Sequence, residues 1–204
     1  MHDRAEVVSP FHAWNHRLTV DQASGTASED LAREFEGRLV ESSTLAVRVA
    51  YSVLRNREDA EDVAQEAFAK AYRGFSQLRD RDRFRAWLVR MTWRMALDRR
   101  RSDRRRITRE DQARMGGPAV SHPGADLQIS LEARERAEHL WRAIDALSEK
   151  LRIVIVLAGI HGHDVKEVSA LLELPEGTVK SRLFAARQHL KEALAWMADT
   201  RPKA

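Results

Sequence analysis

Asp164-Val165-Lys166-Glu167-Val168 and, a short break later, Pro175-Glu176-Gly177-Thr178-Val179-Lys180-Ser181-Arg182-Leu183 read as two brief amphipathic helices joined by a tight turn. That is the pattern of a helix-turn-helix, whose second helix seats in the major groove of duplex DNA. Val165, Val168, Leu171, Leu172, Leu174, Val179, Leu183 and Ala186 fall at helical spacings and are its predicted core. Leu190 and Leu194 continue the last helix. Gly162 breaks the chain before Asp164, the expected N-cap. Pro175 suits the first turn of the second helix, where its missing N–H costs nothing. With Val179 and Leu183 turned inward, Lys180, Ser181, Phe184 and Arg187 fall on the exposed side. Lysine reaches guanine O6 or N7, and phenylalanine packs on a thymine methyl. Arg182 is either a phosphate contact or a surface charge, and Thr178 either meets DNA or only braces the turn. Free N–H groups at the helix start also bind phosphate, which positions without specifying sequence.

Outward from this unit, composition bounds the rest. The 204 residues suffice for one large domain or two small ones. Charged residues make up 32% and aromatics only 6%, and Ala, Leu, Arg and Glu dominate, so an all-α chain is expected. The absence of cysteine excludes disulfides, thiolate zinc sites and cysteine nucleophiles. The longest apolar run, Ile153–Ile160, is too short to cross a membrane and reads as a buried helix. The start of the chain carries acids and has no apolar stretch of a signal peptide, so membrane insertion is not expected and a cytoplasmic location is.

Charge is segregated. From Arg79 to Arg109, thirteen arginines face only Asp80, Asp82, Asp98 and Asp103, giving +9. The whole chain carries +4, which leaves −5 for the remainder. Two faces with two partners, one of them anionic, would segregate charge in this way.

The chain divides into a disordered lead over 1–28, a helical domain over 29–108, a linker over 109–130 and a second helical domain over 131–200. The lead ends in Ser28, a candidate N-cap, and holds Phe11 and Trp14 as isolated aromatics. Leu31, Phe35, Leu39, Leu45, Val49 and Val53 repeat at helical spacing. Asn56 is the expected cap of a second helix with Glu58 and Asp59 in its first turn. Ala60, Val63, Ala64, Ala67, Phe68, Ala71 and Tyr72 form its apolar face, Glu61, Asp62, Gln65, Glu66 and Lys70 its polar one, and Gly74 its C-cap. Phe84, Trp87, Leu88, Met91 and Met95 define a third stripe, opposite Arg85, Arg90, Arg94 and Arg101. Gly116-Gly117-Pro118 and His122-Pro123-Gly124 mark the flexible linker.

The order and spacing of three of these segments resemble the sigma-70 family of bacterial RNA polymerase sigma factors, in its two-domain extracytoplasmic-function (ECF) group. Arg57-Glu58-Asp59-Ala60-Glu61-Asp62-Val63-Ala64-Gln65-Glu66-Ala67-Phe68 resembles the core-binding helix of region 2. Phe84-Arg85-Ala86-Trp87-Leu88, with Met91 to Asp98-Arg99-Arg100, resembles the helix that handles the minus-10 element. Gly177 to Leu183 resembles the recognition helix of region 4. The resemblance implies an all-α fold of two small domains, a region 2 bundle and a region 4 helix-turn-helix, joined by a flexible linker. It implies a non-enzymatic factor without cofactor, metal or catalytic residues. The partners are core RNA polymerase through its β′ and β subunits, promoter DNA and an anti-sigma factor. Asp59, Glu61, Asp62, Gln65 and Glu66 would meet a basic coiled coil of the β′ subunit, giving fast, salt-sensitive association; the bland alternative is a solvated acidic face.

For the minus-10 element the implied residues are Arg79, Arg81, Arg83, Arg90, Trp93, Arg94, Arg99 and Arg100. Arginine holds phosphates and aromatic rings stack on bases, the combination that grips single-stranded DNA. Trp87, on the apolar stripe, is read as core, and Trp93, off it, as the better DNA candidate. By the resemblance, a non-template base is flipped into a pocket formed by the loop Leu78–Arg83. Flipping costs a few kcal/mol, which stacking worth about 1–3 kcal/mol per base offsets. For the minus-35 element they are Thr178, Lys180, Ser181, Arg182, Phe184 and Arg187. The chain departs from the family pattern at Arg94 (usually Asn), Ser148 (usually Pro) and Ala185 (often Arg), departures that bear on promoter sequence.

Other classes fit less well. A response regulator needs period-two strands that 29–108 lack, an enzyme needs a nucleophile–base pair, phosphate loop or metal cluster, and an anti-sigma decoy would lack the arginine run. His161 and His163 read as solvated loop histidines. The linker spans at most about 75 Å extended and about 26 Å as a coil, against about 85 Å between the two promoter elements. Free protein is therefore expected to be compact or mobile and to be held stretched by polymerase.

Overall fold

A computed structural model describes residues 25–114 and 131–195, and every regular element among them is helical. Helices α1 (Gly25–Leu54), α2 (Arg57–Gly74) and α3 (Phe84–Arg114) form the first domain, with 3-10 turns at Phe75–Gln77 and Arg81–Arg83 between α2 and α3. The second holds α4 (Leu131–Ala146), α5 (Glu149–Ile155) continued by a π turn (Val156–Ile160), α6 (Val165–Leu172) and α7 (Glu176–Ala193). Phe11, Trp14 and most of the expected linker lie outside the described residues, as do 196–200.

Two boundaries differ from expectation. Helix α1 already runs at Gly25, ahead of Ser28, because adding residues to a formed helix costs far less than starting one. Helix α3 continues to Arg114, beyond 108, since no glycine or proline stops it before Gly116. Along that stretch Asp103 pairs with Arg99 at 3.4 Å and with Arg106 at 3.8 Å, at i, i+4 and i, i+3 spacings.

The first domain's outer core joins Phe35 and Leu39 of α1, Phe68 of α2 and Phe84 and Leu88 of α3. Phe35, Phe75 and Phe84 meet edge to face with centroids 5.2–5.6 Å apart. Such pairs add about 0.5–1.5 kcal/mol each beyond area burial. Asn56 caps α2, its side chain accepting the Asp59 N–H at 3.1 Å. Gly74 is not a left-handed cap (φ −95°). Its missing side chain serves packing instead, because a Cβ there would stand 3.1 Å from the Trp87 ring.

The second core is shared. Val49, Val53, Val89, Trp93 and Leu97 of the first domain pack in one apolar cluster with Ile144, Val154, Leu157, Val168, Leu171 and Val179 of the second. Each small helical domain buries too little surface alone, and the shared cluster enlarges both.

The helix-turn-helix forms as its residues dictate. Asp164 and Glu167 make a reciprocal capping box, at 2.8 and 2.9 Å. Val168, Leu171, Leu172, Val179, Leu183 and Ala186 are buried, while Val165, Leu174 and Leu190 pack partly buried against them. Pro175 sits at the N-cap itself, one residue before the first turn where it was expected. Gly162 takes φ +75° at the break before Asp164, as the sequence predicts.

Two non-glycine residues are left-handed among those described, Arg55 (φ 58°) between α1 and α2 and Glu173 (φ 52°) between α6 and α7. A side-chain-bearing residue there costs about 1–2 kcal/mol that glycine would avoid.

Candidate nucleic-acid interface

On α2 the acidic set lies along one outward side. Asp62, Gln65 and Glu66 are exposed, and Asp59 and Glu61 half-buried. Glu61 accepts from Arg57 at 2.8 Å and Asp59 from Arg99 at 3.2 Å. The face therefore keeps three free polar heads above two that brace the helix.

The Leu78–Arg83 segment is more built than a loop. Asp80 caps the second 3-10 turn by accepting the Asp82 N–H at 3.1 Å. Arg81 lays its guanidinium 4.1 Å over the Phe75 ring, and Arg38 donates to the Arg81 carbonyl at 2.6 Å. Arg83 pairs with Asp80 at 2.9 Å. Arg79 is exposed. The alternating charges thus organise the turn itself.

Along α3 the expected DNA residues split between two environments. Arg94 is exposed. Arg90 pairs with Glu173 of the second domain at 2.9 Å, and Arg100 with Asp145 at 2.7 Å. Trp93 is only 5% exposed and Trp87 is half-buried, so the ring read as core is the more accessible one in this conformation. The reason is that the second domain lies against the side of α3 that carries Trp93.

On α7, Lys180, Ser181, Phe184 and Arg187 are exposed, with Phe184 at 66%. The ring shares this outward face with the Lys180, Ser181 and Arg187 side chains, opposite the buried Val179, Leu183 and Ala186. Lys180 pairs loosely with Glu176 at 3.7 Å, while Ser181 donates to the Thr178 carbonyl at 3.0 Å. Thr178 and Arg182 are half-buried, at the flanks of the outward face.

The residues that join the domains carry little sequence signal. Arg55 is largely buried, with its guanidinium 3.2 Å over the Trp141 ring and 3.6 Å from the Asp145 carboxylate. Burial above all holds its pKa down, to about 10. Arg152 fixes the α4–α5 corner by donating to the carbonyls of Asp145 and Leu147. His161 is not a solvated loop residue. Its Nε2 meets the Ser52 hydroxyl at 3.1 Å, and burial, then Arg48 and His163, push its pKa down to about 4. The π turn does this: the His161 N–H donates to Val156 and the His163 N–H to Leu157, five and six residues back. Only helical phase, invisible in composition, turns His161 inward. Among the described residues no group of three or more His, Asp or Glu could hold a metal ion, and no helix is long and apolar enough to cross a membrane.

Comparison with known proteins bears on the same elements. The sigma-70 region 2 model matches residues 39–106, and the sigma-70 region 4 model matches 137–190. The chain is 34% identical over 180 residues to the ECF RNA polymerase sigma factor SigE of Mycolicibacterium smegmatis, covering 87% of this chain and 65% of that one. It is 33% identical over 135 residues to the ECF RNA polymerase sigma-E factor of Escherichia coli, covering 64% and 71%. Among solved structures it is similar to the sigma factor RpoE from Bartonella quintana, determined with the anti-sigma factor NepR. That match has a TM-score of 0.50 and 25% identity over 80% of this chain and 98% of that one. CnrH, determined with the cytosolic domain of CnrY, shares the fold at a TM-score of 0.53 and 24% identity, over 80% and 89%. An acidic α2, an arginine-rich α3 and an outward-facing α7 in this order therefore belong to a member of the sigma-70 family of RNA polymerase sigma factors, in its ECF group.

Proposed function

We propose that this protein binds core RNA polymerase and directs promoter-specific transcription initiation, reading the minus-35 element with α7 and opening the minus-10 element with α3. The observation that carries the reading is the outward face of α7, with Lys180, Ser181, Phe184 and Arg187 exposed, on a chain matched by both the region 2 and region 4 models. Asp59, Glu61, Asp62, Gln65 and Glu66 dock the β′ subunit, and the second domain approaches the β subunit. Arg79, Arg81, Arg83, Arg90, Trp93, Arg94, Arg99 and Arg100 hold the opened strand. Thr178 and Arg182 flank the duplex contact. The factor performs no chemistry; phosphate and stacking contacts offset the cost of unpairing. Such a factor works in the cytoplasm and is a target for an anti-sigma protein, as its Bartonella relative is.

Reconstitution with core polymerase on a promoter library tests the whole reading; a failure to form a stable complex or to select any start site would sink it. The docking face has a sharper test. Glu61→Lys with Asp62→Lys is expected to abolish polymerase binding in a pull-down while duplex binding by α7 is retained. Unchanged polymerase affinity would remove α2 from this role.

A further inference from the structure

Helix α1 turns one face to the core and leaves the opposite one bare. Gly37, Val40, Thr44, Val47 and Tyr51 follow one another at steps of three and four, so they form one stripe along the helix. Val40 is 66% exposed and Tyr51 42%. Gly37 and Thr44 are exposed and Val47 is half-buried. Single exposed apolar side chains are ordinary, but a run of them along one helix face marks a contact surface. Gly37 points the same way. Glycine in a helix interior is destabilising relative to alanine, and no packed neighbour calls for it here, because a Cβ at Gly37 would meet no atom within 4 Å.

Glu41 and Arg48 border the stripe on one side, and both are exposed. Arg33 and Arg38 of the same helix find carboxylates three or four residues away. Glu41 and Arg48 stand two turns apart, about 10.5 Å along the axis, and neither forms an ion pair among the described residues. The stripe is also mirrored. The glycine notch and the tyrosine ring, the two valines, and the acid and the base are three pairs of positions, each centred on or beside Thr44.

We propose that this stripe pairs with the same stripe of a second copy of the chain, the two α1 helices running antiparallel about Thr44. A two-fold axis across the helix at that point is the isologous arrangement, in which residue i meets j and j meets i. It sets each Gly37 against Tyr51 of the other copy, each Val40 against Val47 and each Glu41 against Arg48. The missing side chain receives a ring, the apolar flank meets itself, and each charge meets its opposite. A different protein would need none of this mirror order on α1; a second copy needs all of it. Seven residues are fewer than the roughly 20–30 a side of a standard interface, so the pairing is weak and depends on concentration. It uses none of the residues assigned above to polymerase or DNA and stands independently of those roles.

Sedimentation velocity of the full chain at low salt, over about a hundredfold range of concentration, reads the association. The sedimentation coefficient of the parent is expected to rise with concentration. Glu41→Arg alone, or Arg48→Glu alone, sets like charges opposite each other at both crossings and is expected to weaken self-association about tenfold. Both side chains are exposed, so neither change disturbs the core. An equimolar mixture of the two variants is expected to regain association, because each crossing of the mixed pair again holds one arginine and one glutamate. A parent chain that stays monomeric at every concentration overturns the pairing and leaves the stripe to a different protein. Association that survives both single reversals, or that the mixture fails to restore, overturns it as well.

Discussion

His161 illustrates how much a single side chain's surroundings decide. Its ring sits at the seam with Nε2 on Ser52 and with Arg48 and His163 nearby, and it stays neutral down to about pH 4. Because this lies below the ordinary 6.5, the unfolded ring takes up its proton first as pH falls. The ring's contribution is therefore complete above about 6.5 and declines as pH drops toward 4. In His161→Gln, whose amide can still meet the Ser52 hydroxyl, the decline between those values is expected to be shallower than in the parent. Urea midpoints of both proteins across that interval measure it, and superimposable profiles would show that the ring does not titrate with folding. Arg55 is the converse case: its burial also disfavours charge, but its pKa of about 10 leaves it cationic throughout this range.

Among the elements, the α2–α3 corner turns on one missing methyl group. Gly74 lets the Trp87 ring approach to where a Cβ would be 3.1 Å away, and that ring is wedged beside Phe84 at 6.2 Å. Gly74→Ala is expected to lower stability by about 1 kcal/mol or more through overpacking, despite alanine's better helix propensity. Equilibrium urea unfolding would read it, and a stabilised variant would mean the ring moves aside freely. Periodicity marks α1, α2, α3 and the helix-turn-helix, because each has an apolar stripe and two of them have recognisable caps, Asn56 and Asp164. It could not separate a cap from a packing glycine at Gly74, since both want the same residue. Nor could it reveal the π turn at Val156–Ile160, whose apolar run looks the same in either register. From α3 alone Trp93 lies off the first stripe; in the structure it belongs to a second stripe, buried in the core shared with the other domain. The outward residues of α7 were legible for the opposite reason, because their environment is set by one helix pair.

For the molecule as a whole, the charge segregation visible along the chain is partly undone in three dimensions. Arg83 and Arg90 hold Glu173, Arg100 holds Asp145 and Arg101 holds Glu149, so carboxylates of the less basic second domain lie on the arginine-rich segment. Each guanidinium that is free to meet phosphate adds about 0.9 to the slope of log affinity against log salt on duplex DNA. Anisotropy titrations on random-sequence duplex at several salt concentrations should give a slope larger by about one to three for Glu149→Gln with Glu173→Gln than for the parent chain. Equal slopes would mean that the seam carboxylates withhold no cations. The seam carboxylates thus act as internal counterions. A basic factor that left every arginine bare would be titrated by the bulk chromosome, where nonspecific sites vastly outnumber promoters. Carrying its own neutralising charge, the chain with these pairs formed offers fewer free cations to that sink.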